Sequence, residues 1–169
     1  VWAPVSLDKN WLLLQDKDPF DYAKIERKIP ATKELKVAFD LQAGQNDKGT
    51  LQIEFLDENG IACSRLELTA DGVFRAKGGS RFGNIMKYEA GKTYHVEALL
   101  SVANRSIQVF VDGKKAGTRM FYAPVAAIER IAFRTGELRQ FPTPETPADQ
   151  TYDLPNAGAQ DALSTFRVA

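Results

Sequence analysis

Along most of this chain an apolar side chain recurs at every second residue, a period that sends alternate side chains to opposite faces of an extended strand. In residues 21–29, Ala23, Ile25 and Ile29 fall on one face while Lys24, Glu26 and Lys28 fall on the other. Leu35, Val37, Phe39 and Leu41 repeat the pattern against Lys36 and Asp40. Leu51, Ile53 and Phe55 alternate with Gln52 and Glu54, and Leu66 and Leu68 alternate with Arg65 and Glu67. Val96, Ala98, Leu100 and Val102 precede Asn104-Arg105, and Ile107, Val109 and Val111 precede Asp112-Gly113. Ile131 and Phe133 alternate with Arg130 and Arg134, and a last strand falls near 163–168. Asn59-Gly60, Asp71-Gly72 and Asp112-Gly113 supply the positive φ angles of tight primed hairpin turns. No segment carries a sustained helical stripe, and at most one helical turn is expected near 123–127. The pattern predicts an all-β chain of about ten to twelve short antiparallel strands in two sheets packed face to face, as one domain over 1–169.

The remaining composition mainly excludes. With 22 Lys+Arg against 22 Asp+Glu the net charge is zero, so the chain has no general basic surface for nucleic acid or an anionic membrane. No apolar run approaches the roughly 20 residues that span a bilayer. One Cys, Cys63, forms no internal disulfide, and one His, His95, makes no zinc site of the usual kind. Nothing around Cys63 predicts an activated thiolate; it reads as a small side chain, partly exposed or partly buried. The chain starts with Val, and VWAPVSLDKN carries neither a basic nor an apolar leader region, so a module cut from a longer protein is expected. Residues 136–160 carry Pro142, Pro144, Pro147 and Pro155 and break the strand rhythm. Such a stretch is expected to be a functional or stapling loop, pinned by Phe141, Tyr152 and Leu154.

The stretch GKTYHVEALLSVANRSIQVFVDGKKAG, residues 91–117, resembles the central hairpin of laminin-G-like, concanavalin A-type jelly rolls. WLLLQDKDPFDYAKIERKIP at 11–30 and IERIAFRTGELRQFPTP at 128–144 resemble the opening and closing parts of such modules in large secreted bacterial polysaccharide-degrading proteins. The resemblance implies a jelly-roll sandwich outside the cytoplasm, beside a catalytic domain of the same chain. It implies a non-catalytic role, either binding a polysaccharide or oligosaccharide or packing against that domain. A small lyase acting on a uronate glycan and a ligand-free spacer are the alternatives.

Jelly-roll glucanases similar to laminarinases carry E-x-D-x-x-E on one strand, so that the carboxylates enter one cleft. Here Glu54, Asp57 and Glu58 have the wrong spacing, and Asp57-Glu58-Asn59-Gly60 reads as a hairpin tip. Jelly-roll alginate lyases carry R-x-E-x-R, and this chain keeps Arg65 and Glu67 of that motif without the second Arg. A lyase site would use Arg65, His95 and Tyr94, with His95 and Glu97 on a strand face neighbouring that of Arg65 and Glu67. Cross-strand ion pairs on a solvated sheet face explain the same residues more simply.

Sugar binding needs an aromatic platform and polar groups for hydroxyls. Trp2, Trp11, Phe82, Tyr88, Phe121, Tyr122 and Phe141 are the loop candidates. In the glycine-rich stretch 76–88, Arg81, Phe82 and Asn84 are expected to meet a ligand. Arg130 and Arg134 share a strand face and suit an anionic sugar through paired N–H donors, unless Glu129 and Glu137 neutralise them. Arg65 and His95 complete the expected ligand set. Asp16, Asp18 and Asp21 precede the first good strand, and Asp153 and Asn156 lie before the last. If those strands pair, the two clusters would meet, and structural calcium is the ion their oxygens would take.

Overall fold

The strand pattern is realised as two antiparallel sheets. The computed structural model describes residues 4–17, 22–136 and 163–169, and thirteen strands lie among them. In spatial order, β1 (Val5–Asp8), β2 (Trp11–Asp16), β13 (Ser164–Val168), β4 (Glu34–Ala43), β9 (Thr93–Ser101), β10 (Ser106–Val111) and β11 (Lys114–Met120) form a seven-stranded sheet. The order β3 (Lys24–Thr32), β12 (Ile128–Thr135), β5 (Leu51–Leu56), β6 (Ala62–Leu68), β7 (Val73–Gly78) and β8 (Arg81–Lys87) makes the six-stranded one. No helix occurs among the described residues, and 121–127 is an irregular crossover between the sheets rather than a helical turn. The strand that follows Asp16, Asp18 and Asp21 does not pair with the last one: β3 pairs with β12, and β13 instead runs beside β2 with Asp16 opposite Ser164.

The facing sides of the two sheets make the core. Leu41, Leu51, Ile53, Phe55, Leu66, Val96, Leu100, Ile107 and Phe166 are all buried. Each such side chain contributes about 1.5–3 kcal/mol by leaving water. Phe39 and Phe133 meet edge to face across the sandwich with ring centroids 5.2 Å apart. Cys63 belongs to this core and is fully buried rather than partly exposed. Burial pushes its thiol up to about 12, so little thiolate exists near neutral pH. The folded protein should therefore be inert to a thiol reagent at about pH 8 and react once unfolded; stoichiometric labelling of the native fold would contradict this.

Two turn expectations change. Only Asp112-Gly113 has both residues at positive φ, 50° and 76°. At Asn59-Gly60 and Asp71-Gly72 the glycine alone is left-handed, at 82° and 77°. The reason is side-chain capping of longer loops. Asp57 Oδ1 accepts the N–H groups of Asn59 and Ile61 at 2.9 and 2.8 Å, and Thr69 Oγ1 accepts that of Val73 at 3.0 Å. Asp57 is thereby committed to its hairpin.

β5 and β6 depart further from the expected alternation. Both were expected to be half-buried, yet every residue of each is buried. The six-stranded sheet thus has an apolar face toward its partner sheet and, on the other side, a polar face that is buried at β5 and β6.

Candidate functional site

Strand register builds the polar face in two rows. Lys24, Arg134, Gln52, Glu67, Arg75 and Asn84 follow one another across β3, β12, β5, β6, β7 and β8. Beside them run Glu26, Ala132, Glu54 and Arg65, continued by Lys77 and Phe82. Charges of opposite sign therefore meet across strands.

Glu54 is the centre. Its Oε1 lies 2.7 Å from Arg65 Nη2 and accepts from Arg65 Nε at 3.0 Å, with Arg134 Nη2 at 3.8 Å. Burial alone would raise the Glu54 carboxyl, but the positive charges of Arg65, Arg134 and Lys24 outweigh it and hold the group below the usual carboxylate range. Glu67 accepts from Gln52 Nε2 at 2.5 Å and from Arg75 Nε. Gln52 Oε1 is buried with no partner among the described residues.

Aromatic rings lie against these cations. Tyr122 stands 5.6 Å from the Arg65 guanidinium carbon and 5.4 Å from Lys77 Nζ. Phe82 lies 4.3 Å from that of Arg75 and 5.2 Å from Lys77 Nζ, and Tyr22 lies 5.4 Å from that of Arg134. The crossover after β11 delivers Tyr122, whose N–H donates to the Cys63 carbonyl at 3.0 Å. There Tyr122 packs on Leu56, Ala62 and Ala132. Fixed guanidiniums, an amide acceptor and ring faces suit hydroxyls, carboxylates and the apolar face of a sugar.

The sequence candidates divide across the molecule. Arg65 and Arg134 come together, both essentially fully buried, so Arg65 does not lie on a solvated face. Glu54 pairs with it and the Tyr122 ring lies against it. Arg130 shares the Arg134 face nearer the β3 edge, where Glu26, not Glu129, accepts from it at 3.4 Å, and the Glu58 carbonyl accepts a second bond. Arg81, Phe82 and Asn84 belong to a hairpin strand rather than a loop. Phe82 and Asn84 enter the polar rows, whereas Arg81 alternates to the other side. Trp11 sits in β2, and Tyr88 and Phe121 are buried in the core.

His95 is not near Arg65. It stands on β9 of the other sheet, exposed, with Nδ1 2.8 Å from Asp40 Oδ1. Tyr94 alternates inward, where its hydroxyl accepts the Glu89 N–H at 2.9 Å. The three-residue lyase arrangement is therefore not assembled, because neighbouring residues of one strand face opposite ways and this strand lies in the wrong sheet. Exposed pairs of this kind contribute at most about 1 kcal/mol. His95→Ala should accordingly shift the melting temperature by no more than a few degrees; a larger drop would show that the pair is structural.

Asp16 is buried on β2, with the Ser164 hydroxyl donating to its carbonyl at 3.3 Å. Asp18, Asp21, Asp153, Asn156, Trp2, Phe141, Glu137 and all but the first residue of 136–160 lie outside the described residues. Among the described residues no group of three or more His, Cys, Asp or Glu could hold a metal ion. Gln52, Arg75 and Lys77 join the polar rows in addition to the residues expected from sequence. Their signal was present as long polar side chains at the outward positions of three successive strands.

The sequence matches the family described as "Sialidase-like, CBM domain" over residues 1–150, most of the chain. The chain belongs to the sialidase-like carbohydrate-binding module (CBM) family. This CBM is 77% identical to a solved chain named "Sialidase", with a TM-score of 0.86; all of it is covered, and it spans only 16% of that chain. An endo-β-1,4-glucuronan lyase from the fungus Trichoderma reesei matches at TM-score 0.61 and 11% identity, covering 98% of the CBM and 84% of the lyase. The alginate lyase AlgAT5 of polysaccharide lyase family 7 matches at TM-score 0.60 and 10% identity, covering 97% and 78%. At such identity these two show the jelly-roll sandwich and nothing further. No curated protein matches the chain. The expected sandwich fold and carbohydrate-binding class both hold for this CBM, whose family is the sialidase-like one.

Proposed function

We propose that this CBM binds an acidic glycan on the polar face of its six-stranded sheet and anchors an exported bacterial glycan-processing enzyme there. The observation that carries this reading is the run of Arg75, Lys77 and Phe82 beside the buried Glu54–Arg65–Arg134 group. The buried group keeps the floor rigid. Arg75, about a third exposed at its side chain, together with the half-buried Phe82 ring and exposed Asn84, offers the accessible rim. Arg75 would take a carboxylate through paired N–H donors, Phe82 an apolar sugar face, and Asn84 a hydroxyl.

The role is non-catalytic: with His95 on the other sheet, no histidine base stands near Arg65. The relative's name supports a sialylated glycan as the first acid to try, and its much greater length supports a catalytic domain elsewhere in the parent chain. Titration with 3′-sialyllactose and lactose tests the reading. The acidic sugar should bind saturably and at least about tenfold tighter, a difference of 1.4 kcal/mol. Absence of binding to sialyllactose, an oligogalacturonate and a sulfated oligosaccharide would favour a domain-packing spacer.

A further inference from the structure

On the other side of β8, one arginine of the seven-stranded sheet is seated by glycines of both sheets. Arg119 of β11 lays its side chain across Gly78 and Gly83 of the β7–β8 hairpin and beside Gly117 of its own strand. A Cβ at Gly83 would stand 2.5 Å from Arg119 Nη2 and 2.6 Å from Nε. At Gly78 it would stand 2.9 Å from Arg119 Cδ, and at Gly117 3.2 Å from Nη1. None of the three glycines has a positive φ, so they are required by the closeness of the arginine and not by their backbone. The Gly79 N–H donates to the Met120 carbonyl at 3.4 Å and ties the hairpin tip to β11. The guanidinium is thus held in place before any ligand arrives.

Arg119 Nη1 donates to the Thr118 carbonyl at 2.9 Å. Among the described residues no carboxylate pairs with Arg119. Arg81 stands opposite Gly78 and two residues before Gly83, so it shares the Arg119 side of the hairpin. It is exposed and likewise has no carboxylate partner among the described residues. Two cations therefore stand on one side of the hairpin, one of them packed against glycines, and a guanidinium held in this way loses little freedom on binding.

We propose that Arg119 and Arg81 form an anion notch that takes the carboxylate or sulfate group of an acidic sugar. The inference rests on the glycan-binding reading only for the source of the anion. The backbone amides of Gly79 and Gly83 report on the notch in nuclear magnetic resonance titrations of the whole chain with sodium sulfate, N-acetylneuraminic acid and neutral N-acetylgalactosamine. Both acids should give saturable shifts and the neutral sugar none. Arg119→Gln should abolish the response, and Gly83→Ala, whose methyl takes the place of the guanidinium, should weaken it at least about tenfold. Arg81→Ala removes an exposed side chain from a folded protein and should weaken it as well. His95→Ala, on the exposed face of β9, should leave the notch response unchanged. No saturable shift, an equal response to the neutral sugar, or full response in Arg81→Ala and Arg119→Gln would overturn the notch. Sulfate binding without the sugar acid would overturn the sugar as source. A notch response without any effect on the six-stranded face would leave the notch standing while the main glycan site fails.

Discussion

Glu54→Ala is expected to destabilise the fold by about 3–5 kcal/mol, the usual cost of removing one partner from a buried ion pair. For a chain of this size that corresponds to roughly 6–20 °C in melting temperature. The variant leaves Arg65 and Arg134, both essentially unexposed, without the carboxylate whose oxygen lies 2.7 and 3.8 Å from them. Replacing Glu54 and Arg65 together by Leu and Met should cost less than Glu54→Ala alone, since apolar pairs often substitute for buried ion pairs with little loss. The pH dependence has a definite sign. Because the folded Glu54 carboxyl lies below its ordinary value, its stabilisation is fully present above the unfolded value of about 4.3. It is lost as pH falls through the lower folded value. Thermal melts across acidic pH should show wild type losing more stability than Glu54→Ala. Parallel acid profiles, or a variant melting within a degree or two of wild type, would remove Glu54 from its central position.

Phe82→Ala is expected to weaken binding of an acidic trisaccharide at least about tenfold while changing stability little. The ring is half-buried on an edge strand, so its removal leaves no closed core cavity. It lies 4.3 Å from the Arg75 guanidinium and 5.2 Å from Lys77 Nζ. Contacts of this kind contribute about 0.5–2 kcal/mol each as the site dries. Its loss therefore removes a sugar platform and one ring contact from each of two cations. Titration calorimetry of Phe82→Ala beside His95→Ala separates the sheets: the first should lose affinity and the second keep it. Equal affinity in Phe82→Ala would move the glycan away from the β7–β8 side.

Much of the fold could be read from residue spacing, because a strand with one apolar side is specified by its alternation alone. β1 escaped notice because Val5–Asp8 is exposed along its whole length, so burial leaves no period in it. Ala23, Ile25 and Phe39 behaved as inward-facing residues, as their spacing required. The polar side was harder. Gln52, Glu54, Arg65 and Glu67 read as solvent-facing because polar residues usually are. Their partners come from other strands, and the ring against Arg65, that of Tyr122, arrives from 57 positions further along the chain. Likewise the spacing of His95 and Glu97 placed them correctly on one strand face but could not say in which sheet that strand lies. Gly83 and Gly117 carried no interpretable pattern, since the need for them comes from Arg119 across a sheet boundary.

Mapping amide shifts of the whole chain during a titration with 3′-sialyllactose tests the location of glycan binding most directly. The expected result is a saturable response concentrated on β5 to β8, including Gln52, Arg75, Lys77 and Phe82, with lactose giving little. A response centred on Asp40 and His95 of the opposite sheet, or no saturable response, would contradict it.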